Sequence, residues 1–294
     1  MALASRCSGG RLSPAALFYG LTSALAWGAA DFLGGLTSRR AGTLAVLVVT
    51  QSTGLMLSLA LAFGTGEPAP PAVAIALALA AGVAGIVGLG CFYAALARGM
   101  MSLVAPLGAM VGAVIPVAFG LVTGDQLVPT QFLGMGCAVA AIGLIARQEG
   151  GGAEARQLPL VFLTGLGFAG FFILISLSEE AGGVTWWPIF FARVAGVSLV
   201  LAASLRVSRT VSLPRAVLPL TILVGLGDLA GSALFLLASA EGALSVAVIL
   251  VSLYPVVTVF LAALLLRERL SRTQGAAVGL ALAGIALIAA RISV

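Results

Sequence analysis

Phe92–Ala146 reads FYAALARGMMSLVAPLGAMVGAVIPVAFGLVTGDQLVPTQFLGMGCAVAAIGLIA. Phe235–Ala289 reads FLLASAEGALSVAVILVSLYPVVTVFLAALLLRERLSRTQGAAVGLALAGIALIA. A shift of 143 residues lays one over the other without a gap, and about a third of the 55 positions are identical, more than this Ala/Leu/Gly-rich composition gives by chance. Gly99 falls on Gly242, Ser102 on Ser245, Leu127 on Leu270, Thr130 on Thr273, Gln131 on Gln274 and Gly136 on Gly279; Asp125 falls on Glu268. The stretch before each block matches more loosely: Gly54 over Gly196 sets Gln51 opposite Arg193. The chain therefore reads as two copies of one unit, residues 1–149 and 156–294, joined by a Gly-rich linker over 150–155.

Composition says what solvent these copies fold in. Of 294 residues, 61% are hydrophobic and only 9% charged, against about a quarter charged in soluble domains. A soluble fold would leave much of that apolar surface wet. A bilayer span needs about 20 mostly apolar residues, so ten spans use about 200 and leave short connectors. Ten segments can be cut at polar and Pro/Gly breaks: 15–35, 43–63, 72–96, 102–122, 130–146, 158–176, 186–205, 216–238, 244–265 and 273–290. Helices satisfy the backbone in lipid, and the period-two alternation of barrel strands is missing. The expectation is an all-α membrane protein of ten transmembrane helices, arranged as two inverted-topology five-helix repeats. A signal peptide cleaved after Ala24-Leu25-Ala26 is the alternative at the N-terminus, but the apolar run continues past that site.

Charge supports the inversion. Five spans per copy is odd, so the second copy enters the bilayer upside down. Eleven of the fifteen Arg residues fall in or beside alternate loops on one face: Arg39, Arg40, Arg98, Arg147, Arg156, Arg206, Arg209, Arg215, Arg267, Arg269 and Arg272. Arg6, Arg11 and Arg291 fall on the other, and Arg193 lies inside a span. The positive-inside rule then places both termini outside the cytoplasm of a multi-pass (inner) cell membrane.

Absences narrow the chemistry. The chain has no His, Lys or Asn. That excludes a Ser-His dyad, a His-ligated zinc, a P-loop lysine and a Schiff base. No metal, cofactor or ATP hydrolysis is expected. The net charge of +5 is spread over scattered Arg residues, which argues against nucleic acid. Cys7, Cys91 and Cys137 are widely spaced and read as buried free thiols.

The second copy carries Ala240-Glu241-Gly242-Ala243-Leu244-Ser245, then Leu253-Tyr254-Pro255-Val256-Val257, Leu266-Arg267-Glu268-Arg269-Leu270 and Thr273-Gln274. The first carries Trp27-Gly28, Leu96-Ala97-Arg98-Gly99 and Gly124-Asp125-Gln126-Leu127. In these runs the chain resembles the EamA family of the drug/metabolite transporter superfamily. The resemblance implies ten helices in two inverted repeats and export of amino acids or other small metabolites. It also implies cytoplasmic termini, opposite to the Arg count.

Three ionisable residues fall inside spans: Asp31, Arg193 and Asp228. Such groups are costly in lipid and normally face a cavity or a partner. Asp31 reads as a proton-coupling or amine-binding site, or as an anchor for Arg39 and Arg40. Arg193, two turns after the interfacial pair Trp186-Trp187, reads as a carboxylate binder or as the ion-pair partner of Asp228. Trp27, Gln51, Tyr93 and Tyr254 are the amphipathic cavity candidates, with Tyr19 beside them; plain packing is the alternative for each. Pro106, Pro116 and Pro255 are candidate helix breaks, because proline removes a backbone donor and inverted-repeat transporters bind substrate at broken helices. Asp125 and Glu268 read better as helix caps than as transport chemistry.

The function expected is secondary export of small organic metabolites, with amino acids, aromatic or hydrophobic ones among them, as the substrates, by alternating access with proton coupling. The partners are lipid, substrate and proton, in a monomer or weak homo-oligomer. A channel or lipid flippase is the rival. Gly225-Leu226-Gly227-Asp228 also fits the Gly-x-Gly-Asp of intramembrane aspartyl proteases, with Asp31 as the second carboxylate.

Overall fold

Apolar sequence in this chain becomes helix wherever it is long enough to close its own hydrogen bonds. The computed structural model describes residues 14–98, 101–122, 158–206, 213–241, 244–267 and 272–289, with isolated helical positions between 129 and 144. Among the described residues every regular element is helical. The first copy supplies α1 (Pro14–Ala41), α2 (Thr43–Gly64), α3 (Ala72–Ala97) and α4 (Met101–Val122). The second supplies α5 (Leu158–Glu180), α6 (Trp186–Arg206), α7 (Leu218–Ala240), α8 (Leu244–Val251), α9 (Tyr254–Leu261) and α10 (Arg272–Ala289). Six of these, α1–α3 and α5–α7, are long and apolar enough to cross a membrane. The span expected over 130–146 falls mostly outside the described residues, as do the linker 150–155, Asp125, Glu268 and Cys7.

Two expectations need correction. The span over 244–265 is not one helix: a turn at Ser252-Leu253 separates α8 from α9. Pro255 sits in the first turn of α9, where its missing N–H costs nothing. Ser252 Oγ donates back to Val248 O at 2.7 Å, a carbonyl that also accepts from Ser252 N at 2.8 Å, and Leu253 N turns to Leu250 O at 3.3 Å. The helix then widens into a π-helical stretch, Ala262–Leu266, and stops at Arg267, whose φ of 52° is left-handed. Pro106 and Pro116, by contrast, lie inside an unbroken α4. Each removes one hydrogen bond, and tight packing holds the helix regardless. A Cβ placed on Gly108 would lie 3.2 Å from Thr164 Cγ2, and one on Gly112 would lie 3.6 Å from Gly165 O.

The packing repeats with the sequence. α1 lies against α7 as α3 lies against α5, and α2 crosses α6. The α8–α9 pair meets α1 as α4 meets α5. Atomic contacts repeat as well. A Cβ on Gly82 of α3 would collide with Ala192 O of α6, and one on Gly225 of α7 would come within 2.8 Å of Thr50 O of α2. Gly82 and Gly225 are 143 residues apart, and Thr50 and Ala192 are 142 apart, so one contact is made twice. Such close approach between backbones is how small residues hold helices together where lipid supplies no hydrophobic drive.

The outside is apolar. Phe18, Met56, Phe63, Leu205 and Phe260 are each at least 62% exposed, a surface suited to acyl chains and not to water. Cys91 and Cys137 are free but half-buried, not buried as expected.

Candidate functional site

Arg193, buried on α6, is the centre of the polar interior. Its Nη1 lies 2.9 Å from Asp228 Oδ2 on α7 and donates to Gln51 Oε1 on α2 at 3.1 Å. Its Nη2 donates to Ser232 Oγ at 2.9 Å, and that hydroxyl donates to Asp228 O at 2.8 Å. The second oxygen of Asp228 is also used: Trp27 Nε1 donates to Oδ1 at 3.0 Å. A buried charge is tolerable when paired and hydrogen-bonded in this way. Arg193 and Asp228 thus make an ion pair that ties α1, α2, α6 and α7 together.

The repeat explains why the space exists. Gln51 and Arg193 occupy equivalent positions and face each other across the contact of α2 with α6. Each reaches over the glycine three residues after the other: a Cβ on Gly54 would lie 3.2 Å from Arg193 Nε, and one on Gly196 would lie 2.9 Å from Gln51 Oε1.

Around this cluster is a cavity with about 590 Å³ of empty space, part of it open to solvent. The sequence candidates Trp27, Asp31, Gln51, Arg193, Asp228 and Tyr254 all line it. So do Gly82, Gly85, Ile86 and Leu89 of α3, Phe168, Phe171 and Phe172 of α5, Ala192 and Ser232. Tyr93 is a correction. It does not line the cavity; its fully buried ring tucks against α1 at Gly34, where only a residue without a side chain leaves room. Tyr19 packs partly buried beside Phe18, 5.7 Å between ring centres, and is not in the cavity lining either.

Asp31 differs from Asp228. It is 5% exposed, lines the cavity, and among the described residues has neither a hydrogen-bond nor an ion-pair partner. Arg39, one possible anchor for it, instead donates to Leu96 O at 3.2 Å from Nη2. Tyr254 brings a second unsatisfied group: its hydroxyl is buried without a partner at the α8–α9 interruption. α1 reaches that interruption through Gly28. A Cβ there would lie 2.6 Å from Tyr254 O, and Gly28 O accepts from Thr258 Oγ1 at 3.0 Å.

Sequence reasoning passed over three contributors. Ser232 was hidden among the many small residues of α7. The Phe-Ala-Gly-Phe-Phe run at 168–172 was legible as aromatic density and was not used. Glu67, in the Gly/Pro-rich connector 64–71, accepts backbone N–H groups from Thr185 at 3.2 Å, Trp186 at 2.9 Å and Trp187 at 3.3 Å. It caps the N-terminus of α6 and binds one copy to the other; no spacing rule pairs residue 67 with residue 186.

Both oxygens of Asp228 are engaged, Oδ2 with Arg193 and Oδ1 with Trp27, so this carboxylate is held as one half of an ion pair.

The fold is shared with solved structures. A crystal structure of a protein superposes with a TM-score of 0.67 over 93% of this chain and 96% of the other, at 14% identity. In all, 26 chains of solved structures match. No curated protein sequence matches. The description of the EamA-like transporter family fits twice in succession, over residues 14–147 and again over 156–290. Covered almost end to end by these two matches, the chain belongs to the EamA-like transporter family.

Proposed function

We propose that this membrane protein is a secondary active transporter that exports small organic compounds bearing an amino group across the cell (inner) membrane in exchange for protons. One observation carries the reading: a cavity lined by both copies holds a carboxyl group, Asp31, with no partner among the described residues, beside an ion pair that fixes the walls. A group in that position takes up or releases a proton without breaking any contact. An arriving ammonium displaces the proton from Asp31 and takes its place, and on the other side of the membrane a proton displaces the ammonium. One proton exchanges for one amino group.

The repeat supports alternating access. Because α1–α7 and α3–α5 are equivalent contacts, rocking one copy against the other exchanges one arrangement for its mirror in the membrane. The interruption at Ser252–Pro255 places a joint against the cavity wall.

The test is uptake by proteoliposomes holding the purified full chain, with labelled amino acids and amines supplied under an imposed pH gradient. Saturable uptake that follows the gradient is expected. Conductance far above carrier turnover, or movement of labelled lipid in its place, would overturn the reading.

A further inference from the structure

The cavity contains three formal charges, and only one of them is unspent. The guanidinium of Arg193 faces Asp228 at 2.9 Å and also donates to Gln51 and Ser232. Its remaining Nε is buried without a partner among the described residues and lies against α2, 3.2 Å from where a Cβ on Gly54 would sit. Among the described residues a carboxylate entering the cavity therefore finds no cation that is not already paired, and it meets the carboxyl group of Asp31, which has no partner there.

A cation finds the opposite. Asp31 supplies the counter-charge. Trp27, Phe168, Phe171 and Phe172 supply aromatic surface in the same lining, and ring faces attract cations most where water is excluded. The partnerless hydroxyl of Tyr254 can turn its oxygen toward an ammonium N–H. The rings pack on one another, with Trp27 and Phe172 centroids 5.8 Å apart, so the aromatic wall is built before the ligand arrives.

We propose that the site selects organic monocations with an aromatic or apolar body, the arylalkylamines, and rejects the corresponding zwitterionic amino acids. This rests on the transporter reading above and narrows its substrate class. The amine binds as ammonium at Asp31 while its ring lies among the phenylalanines. The α-carboxylate of an amino acid adds a second anion to a site with no cation to spare.

Matched pairs test it: phenethylamine against phenylalanine and tryptamine against tryptophan, binding to the purified full chain measured by calorimetry. Each amine is expected to bind tighter than its amino acid by on the order of a hundredfold, the cost of an unpaired buried anion. Asp31→Asn is expected to weaken the amines by about tenfold or more while leaving the unfolding temperature in place, since Asp31 holds nothing. Amino acids binding as tightly as the amines, amines indifferent to Asp31→Asn, or no binding of any probe would each overturn the proposal. Transport is read separately with trimethylphenethylammonium, whose permanent charge prevents leakage through lipid. Binding without its uptake overturns the transporter reading and leaves the selectivity standing. Uptake of amino acids without it overturns the selectivity and leaves the transporter.

Discussion

The two copies agree in backbone and disagree in chemistry. Gly82 meets Ala192 O as Gly225 meets Thr50 O, and Gly54 and Gly196 clear the same space for each other's neighbours. At the site the equivalence ends. Arg193 of the second copy stands where the first has Gln51, and Asp228 and Ser232 stand where it has Gly85 and Leu89. The first copy supplies the lone carboxyl, Asp31, from α1. Symmetry is kept at the helix contacts and dropped in the cavity lining. The interruptions differ in the same way: α4 runs through two prolines, and its counterpart breaks at Pro255.

The largest effect should come from the ion pair. Arg193→Ala leaves Asp228 buried and unpaired, and the expected loss is about 3–5 kcal/mol of stability with transport abolished. Replacing both members, Arg193→Met with Asp228→Leu, should recover most of that stability, because similar-sized apolar groups need no desolvation. Unfolding temperatures of the single and double variants in one detergent check this; additive losses would mean the two do not act as a pair.

Next is the backbone contact made twice. Gly82→Ala and Gly225→Ala each force a methyl group against a carbonyl of the facing helix, and each should cost about 1–3 kcal/mol. Thermal unfolding of both variants tests the equivalence. A large loss in one and none in the other would show that the copies do not share this contact.

The smallest effect belongs to Glu67, which caps a single helix end. Glu67→Gln weakens the cap on α6 and should cost about 1 kcal/mol, with little change in ligand affinity. The same measurements done in parallel would reveal a larger role if binding also falls.

Much of this was legible in the sequence because lipid and repetition leave strong marks. Apolar length located α1, α2, α3, α5, α6 and α7 to within a few residues, except that α1 and α5 run on by up to six residues at their C-terminal ends. The register between copies put Gln51 opposite Arg193, and the cost of intramembrane charge singled out Asp31, Arg193 and Asp228. Proline was less informative. It removes one donor wherever it sits, and whether the helix breaks depends on neighbours: tight packing on α5 keeps α4 whole, while Ser252 and the following turn open the α8–α9 joint. Tyr93 differs for a similar reason, since the missing Cβ at Gly34 leaves room for its ring to pack against α1, outside the cavity lining. Cross-copy contacts such as Glu67 with Trp186 leave no local signal at all.

The central claim is that Asp31 carries the exchange while Arg193 and Asp228 hold the walls. Uptake of trimethylphenethylammonium into proteoliposomes, with the pH gradient imposed in each direction, tests it most directly. The wild-type chain should accumulate the cation against its own gradient when protons flow the other way, and Asp31→Asn should lose all response to the gradient. Uptake by the wild type that ignores the gradient, or an Asp31→Asn protein that still follows it, would contradict the account.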